Sequence, residues 1–198
     1  MVRLAEIANI SLGLPNSGWQ LEADYRGYAV RLVESGSLGD ACWLGIDNLK
    51  EVVVPSYEAA DRYLLRPYDV LVTARASTVQ AALVSPAVSR TVASVTLLVV
   101  RAHDTGSGME HFIWYFLTSR WGQAQLKRRV TVGATLTTLS AAGLGEVELP
   151  NPSREVLQRV ASLVEASDSA YTWTLEAARL RRDTLRDSII GTLDSTSR

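Results

Sequence analysis

Cysteine, histidine and lysine are scarce in this chain, and long apolar runs are absent. Of 198 residues one is cysteine, Cys42, and two are histidine, His103 and His111. A single thiol closes no intrachain disulfide and builds no cysteine-based zinc site, which points to a reducing, cytoplasmic compartment. Two histidines so spaced fit no common ligand motif, so neither a metal centre nor a histidine base is expected. No stretch reaches the roughly 18 apolar residues of a membrane span, and the opening MVRLAEIANISLGLP lacks the apolar core of a signal peptide. No Walker loop, no G-x-G-x-x-G after a strand and no G-x-S-x-G elbow occurs. Asp69, the carboxylate at the start of the strand 69–74, has no second carboxylate beside it and reads as a turn or capping residue. These absences favour a binding module over an enzyme.

What is present is a chain 47% hydrophobic, long enough for one domain with an appendage. Its net charge of -1 conceals a gradient. Residues 1–61 carry four Lys/Arg against nine Asp/Glu, residues 62–145 nine against three, and residues 146–198 seven against nine. The three segments therefore stand at -5, +6 and -2. A basic middle inside a near-neutral chain is the footprint of a phosphate-binding face, and equally of a solvated patch. Arginine supplies 18 of the 20 cations, which suits forked contacts to phosphate or guanine, or reflects a GC-rich genome.

Short apolar or alternating runs fill the first two thirds: YAVRLV (28–33), ACWLGI (41–46), EVVVP (51–55), DVLVTA (69–74), QAALVS (80–85) and SVTLLVVR (94–101). Their spacing predicts a mostly antiparallel sheet or partial barrel. The run at 69–74 leads straight into Arg75, Ser77 and Thr78 rather than into a Gly or Pro turn. Helical spacing then takes over in MEHFIWYFLTSRWGQAQLKRR, whose basic end suits a helix C-terminus. A hydroxyl-rich loop with Thr131, Thr135 and Thr138 follows, able to hold phosphate oxygens or to satisfy its own backbone.

Asn151 as N-cap and Pro152 at the first helical position predict a boundary at residue 150 and a long helix over 151–194, with 195–198 a frayed tail. Leu157, Val160, Val164, Tyr171, Leu175, Ala178, Leu185 and Ile189 recur along it as one apolar seam. A lone helix cannot bury such a seam against itself. It needs a partner helix, or it folds back as two shorter helices near residues 166–174.

In order, VRLAEIANISLGLP, YLLRPYDVLVTARAST, VASVTLLVVRA, the segment from His111 to Pro152 and the long helix resemble one target recognition domain and conserved helix of the DNA specificity subunits of type I restriction-modification enzymes. Where that family usually opens the strand with Gly-Asp this chain has Tyr68-Asp69, and Arg75-Ala76-Ser77 replaces Arg-Gly-Ser. The family's Glu-Gln pair early in the helix is here Val156-Leu157. The resemblance implies an α+β recognition domain at 1–150, a mostly antiparallel sheet or partial barrel with packed helices, and a helix that pairs antiparallel with a second copy as an intermolecular coiled coil. It implies double-stranded DNA as partner, contacted by Arg75, Ser77 and Thr78 and by Arg90, Lys127, Arg128, Thr131, Thr135 and Thr138. It further implies docking to DNA adenine methyltransferase subunits and a restriction or motor subunit, with S-adenosylmethionine and ATP on those partners and no cofactor here. A protein-interaction scaffold that no longer reads DNA is the alternative.

Overall fold

The computed structural model describes residues 1–20, 27–39, 41–46, 48–76, 79–133 and 137–196. In chain order the strands are β1 (Val2–Arg3), β2 (Ala8–Leu12), β3 (Tyr28–Val33), β4 (Lys50–Val54), β5 (Val70–Thr73), β6 (Arg75–Ala76), β7 (Ala81–Leu83), β8 (Thr91–Ala93), β9 (Leu97–Ala102), β10 (Thr131–Val132), β11 (Thr137–Thr138) and β12 (Glu148–Leu149). The α-helices are α1 (Leu4–Ile7), α2 (Tyr57–Asp61), α3 (Met109–Thr118), α4 (Arg120–Lys127), α5 (Ala141–Gly145) and α6 (Arg154–Thr196). The result is an α+β fold of small sheets, antiparallel except where β3 meets β8. The described strands close no barrel.

The central sheet runs β2-β9-β5-β7. Its two middle strands are apolar on both faces because both faces are covered. Val70 and Val72 point with Leu98 and Val100 into a core roofed by α3, α4 and the start of α6, whereas Leu71 points with Leu97 and Val99 toward Val33 and Leu44. Alternation along a strand sends neighbours to opposite cores, so a continuous apolar run is what such a strand requires. A second sheet, β4-β3-β8, builds its own core from Val30, Leu32, Val52, Val54 and Val92.

β5 starts from a strained turn. Tyr68 has φ 69°, the left-handed conformation that suits the glycine usual at this place in the family it resembles. Holding a bulky residue there costs about 1–3 kcal/mol. The surroundings compensate: Tyr68 N–H donates to the Val84 carbonyl at 2.9 Å, and its ring packs against Trp43 and His111. Asp69 next to it is 1% exposed and takes two hydrogen bonds from Arg101, at 2.8 and 2.7 Å, and one from Arg66 N–H at 2.8 Å. That hydrogen-bonded carboxylate also holds the Arg101 guanidinium above its ordinary pKa. Asp69 is thus the turn-fixing residue expected from the sequence.

Three expectations need correction. ACWLGI forms no strand among the described residues, because only two backbone bonds, Leu83 N–H to Cys42 and Leu44 N–H to Leu83, tie it to the edge of β7. The helical run 109–129 is two helices, broken at Ser119, whose hydroxyl donates to the Phe116 carbonyl and accepts from Gly122 N–H. A side chain at 122 would run into the Phe116 carbonyl, so this corner needs its glycine. The long helix starts at Arg154, not 152; its first turn is capped by Ser153, which accepts from Val156 N–H at 3.5 Å.

α6 is one continuous helix of 43 residues, about 65 Å long at 1.5 Å per residue. Its first four turns dock on the domain. Leu157 and Val164 pack into the core under α3, and from residue 169 to 190 every residue is exposed.

Candidate nucleic-acid interface

Beyond the end of β5 the chain does not turn back at once. It makes a small ribbon, β10-β11-β6, that stands off the central sheet. Leu139 N–H donates to the Ala74 carbonyl and Ala74 N–H to Thr96, both at 2.8 Å, so the root is fixed to the sheet. Gln80 N–H donates to the Thr73 hydroxyl at 3.0 Å.

The register of this ribbon brings three of the expected residues together. Thr131 lies opposite Thr138, and Thr138 opposite Arg75. Residues directly opposite share one face of an antiparallel pair, with Cβ atoms about 5 Å apart. One guanidinium and two hydroxyls therefore form a row across three strands, and all three residues are exposed. Within the segment read from sequence as a loop, Thr131–Val132 and Thr137–Thr138 pair as short antiparallel strands, because threonine suits both.

Lys127 ends α4, ahead of β10. It shares a face of α4 with Gln123, whose amide donates to the carbonyls of Val79 at 3.2 Å and Leu117 at 2.8 Å. Arg128, one residue on, points elsewhere, into a hollow of about 420 Å³ lined by Met1, Phe116, Trp121 and Pro150. Arg90 is not with the others at all. It precedes β8, whose Thr91 carbonyl accepts from Leu65 N–H ahead of β5, so the length of β5 separates it from Arg75. Among the described residues no carboxylate ion-pairs with Arg75, Lys127 or Arg128. Arg129, by contrast, is consumed by the carbonyls of Gln125 and Glu146. Ser77, Thr78 and Thr135 lie outside the described residues.

The expected helix seam divides as well. Leu157 and Val164 are buried and Val160 half-buried against their own domain, so these three are already used. Tyr171, Leu175, Ala178, Leu185 and Ile189 are exposed. Beside the docked turns, α3 and α6 bound a groove of about 740 Å³ whose walls are Trp114, Tyr115, Val160, Leu163 and Tyr171, with Asp168 and Cys42 at its edge. Leu163 was missed in the seam, though Val160, Leu163, Ser167 and Tyr171 repeat along the flank next to it. Asp168 accepts from Cys42 N–H at 2.6 Å. Burial first, then the charges of Asp168 and Glu165, push the Cys42 thiol well up, so it stays protonated.

Among the described residues no three His, Cys, Asp or Glu side chains converge on a metal site, and no helix is long and apolar enough to cross a membrane. No protein-family model and no curated protein sequence matches the chain. Solved structures do. The chain is similar to the HsdS subunit from Thermoanaerobacter tengcongensis, at 19% identity and TM-score 0.53 over 89% of this chain and 38% of that one. It is similar, at 19% identity and TM-score 0.60, to a chain from a structural study of complex assembly and conformational transition of the type I R-M system, over 89% of this chain and 40% of that one. The S subunit of the Type-I restriction-modification system from M. genitalium matches at 14% identity and TM-score 0.51, over 84% and 38%. The fold is therefore that of type I specificity subunits, and the chain spans about two fifths of their length.

Proposed function

We propose that the chain is a non-catalytic DNA-recognition subunit of a type I-like restriction-modification system. It contacts double-stranded DNA through the β10-β11-β6 ribbon, pairs with a second copy through α6, and presents the pair to methyltransferase subunits that carry the cofactors. The observation that carries this reading is the exposed row Arg75–Thr138–Thr131, delivered by a strand buried on both faces. A β-ribbon fits the major groove, and an arginine flanked by hydroxyls on a rigid support contacts phosphate or a base edge with little loss of side-chain freedom.

The exposed half of α6 supports the pairing. The 22 residues 169–190 of the helix are exposed, and Tyr171, Trp173, Leu175, Leu185 and Ile189 lie on them. Isolated helix of that length is marginal in water, and each large apolar side chain gains about 1.5–3 kcal/mol on burial. A second copy running antiparallel supplies that cover, its far end reaching the groove between α3 and α6. Two copies then approach the length of one of the structural neighbours and place two readers about a twofold axis, as a bipartite DNA site demands.

The test is a salt titration of duplex binding by the wild type and by Arg75→Ala. Wild-type affinity should fall steeply with salt, and the variant's log–log slope should be shallower by about 0.9 for one lost phosphate contact. An unchanged slope removes the ribbon from the interface; no binding at low salt removes the DNA reading itself.

A further inference from the structure

At the junction of α6 and the domain, apart from ribbon and groove, sits a charged cluster that neither uses. His111, in the first turn of α3, is 3% exposed, its ring edge-on to Trp43 at 5.6 Å and tilted against Tyr68 at 5.8 Å. Nδ1 faces Glu110 Oε1 at 3.8 Å, and Nε2 faces Glu165 Oε1, on α6, at 3.4 Å. Glu110 is 1% exposed; its Oε1 accepts from Gly106 N–H at 3.1 Å. Its Oε2 and both ring nitrogens of His111 are buried with no hydrogen-bond partner in the protein. With Ser107, Gln158 and Ser162 they line a polar hollow of about 230 Å³ between domain and helix. Gly108, at φ 91°, lets this loop approach α6: a Cβ there would come within 2.7 Å of the Leu157 carbonyl.

A neutral imidazole carries one N–H and one lone pair. With carboxylates on both sides, either tautomer turns a lone pair toward one of them. Only the imidazolium turns an N–H toward both carboxyl groups, and a charge buried without a partner is costly. Among the described residues, the other groups that line the junction supply none. Asp168, one turn along α6, adds a third negative charge, the Cys42 thiol is held protonated, and Gln158 carries no charge. We infer that His111 is a proton-operated latch between the reader domain and the α6 rod: charged, it binds Glu165 across the junction and fixes the rod; uncharged, it lets the first turns of α6 loosen. Because only the charged histidine gains the partner, the tether belongs to the imidazolium and is lost with the neutral ring.

This inference is independent of DNA binding and of pairing, and thermal unfolding of the full chain tests it. Glu165 is half exposed, so Glu165→Gln should fold. It should lower the melting temperature by about 2–4 °C near pH 5.5 and by less than about 1 °C near pH 8. In a His111→Gln background the same substitution should have no effect at either pH. An equal Glu165→Gln effect at both pH values, or an effect that survives without His111, overturns the latch. Should His111→Gln not fold, hydrogen exchange of α6 amides 157–168, corrected for intrinsic rates, decides between wild type and Glu165→Gln. Protection should drop several-fold in the variant near pH 5.5 and not near pH 8, and the same ratio at both overturns the proposal.

Discussion

Leu157 and Val164 are 5% and 8% exposed, whereas Leu185 and Ile189, on the same seam of the same helix, are 64% and 60% exposed. Spacing alone does not distinguish them. What differs is the neighbour: the first turns of α6 lie under α3, which reaches them because the Gly106–Gly108 loop turns tightly against the helix, and beyond Asp168 the domain ends. Periodicity thus says that a face seeks cover and leaves open who supplies it. In this chain the domain covers the first turns, which fixes the rod's direction, and leaves residues 169–190 exposed.

The sharpest break between the halves comes from charge. Val164→Asp buries a carboxylate among apolar side chains and should cost about 3 kcal/mol or more, lowering the domain's melting temperature by about 6–12 °C. Leu185→Asp should leave melting of the domain within about 1 °C of the wild type, yet shift the sedimenting species from dimer to monomer. Unaltered dimers would show that α6 is not the joining surface; a strongly destabilised domain would show that its two halves are not separate. Leu163→Asp is the boundary case. It is 63% exposed but walls the groove, so a weaker dimer with near-normal melting is expected.

Where both faces of an element are buried by the domain, the sequence was legible. β3 falls on 28–33 as read, and β5 lies within 69–74. Where one or two bonds decide, it was not: 41–46 has a strand-like composition but reaches a partner only at Cys42–Leu44, and the hydroxyl at Ser119 splits a run whose apolar spacing continues. The candidate interface follows the same division. Arg75, Thr131 and Thr138 were named from residue type, but that they face one another depends on a register no local pattern encodes. Arg90 was grouped with them because it lies in the same basic third, and nearness in sequence is not nearness in the fold. Lys127 and Arg128 part because adjacent residues on a helix point about 100° apart. Glu110, His111 and Glu165 meet only when α6 docks, so no spacing in the chain announces them.

The smallest effect reads the comparison through Cys42, the only cysteine in the chain and 3% exposed. Its thiol is pushed up by burial and then by Asp168, which belongs to the docked half of α6. Asp168→Asn removes that charge, and its side-chain oxygen can still accept from the Cys42 N–H. Thiolate is the form that alkylates, and removing a nearby negative charge raises its fraction, so maleimide labelling near neutral pH should quicken by about threefold. Asp183→Asn makes the same chemical change in the exposed half, where Asp183 lies beside Arg182 and Arg186 in solvent. It should leave Cys42 labelling as it was. If the distal substitution speeds labelling as much as the proximal one, the exposed half is coupled to the domain, and the division of α6 into a docked base and a free rod does not hold.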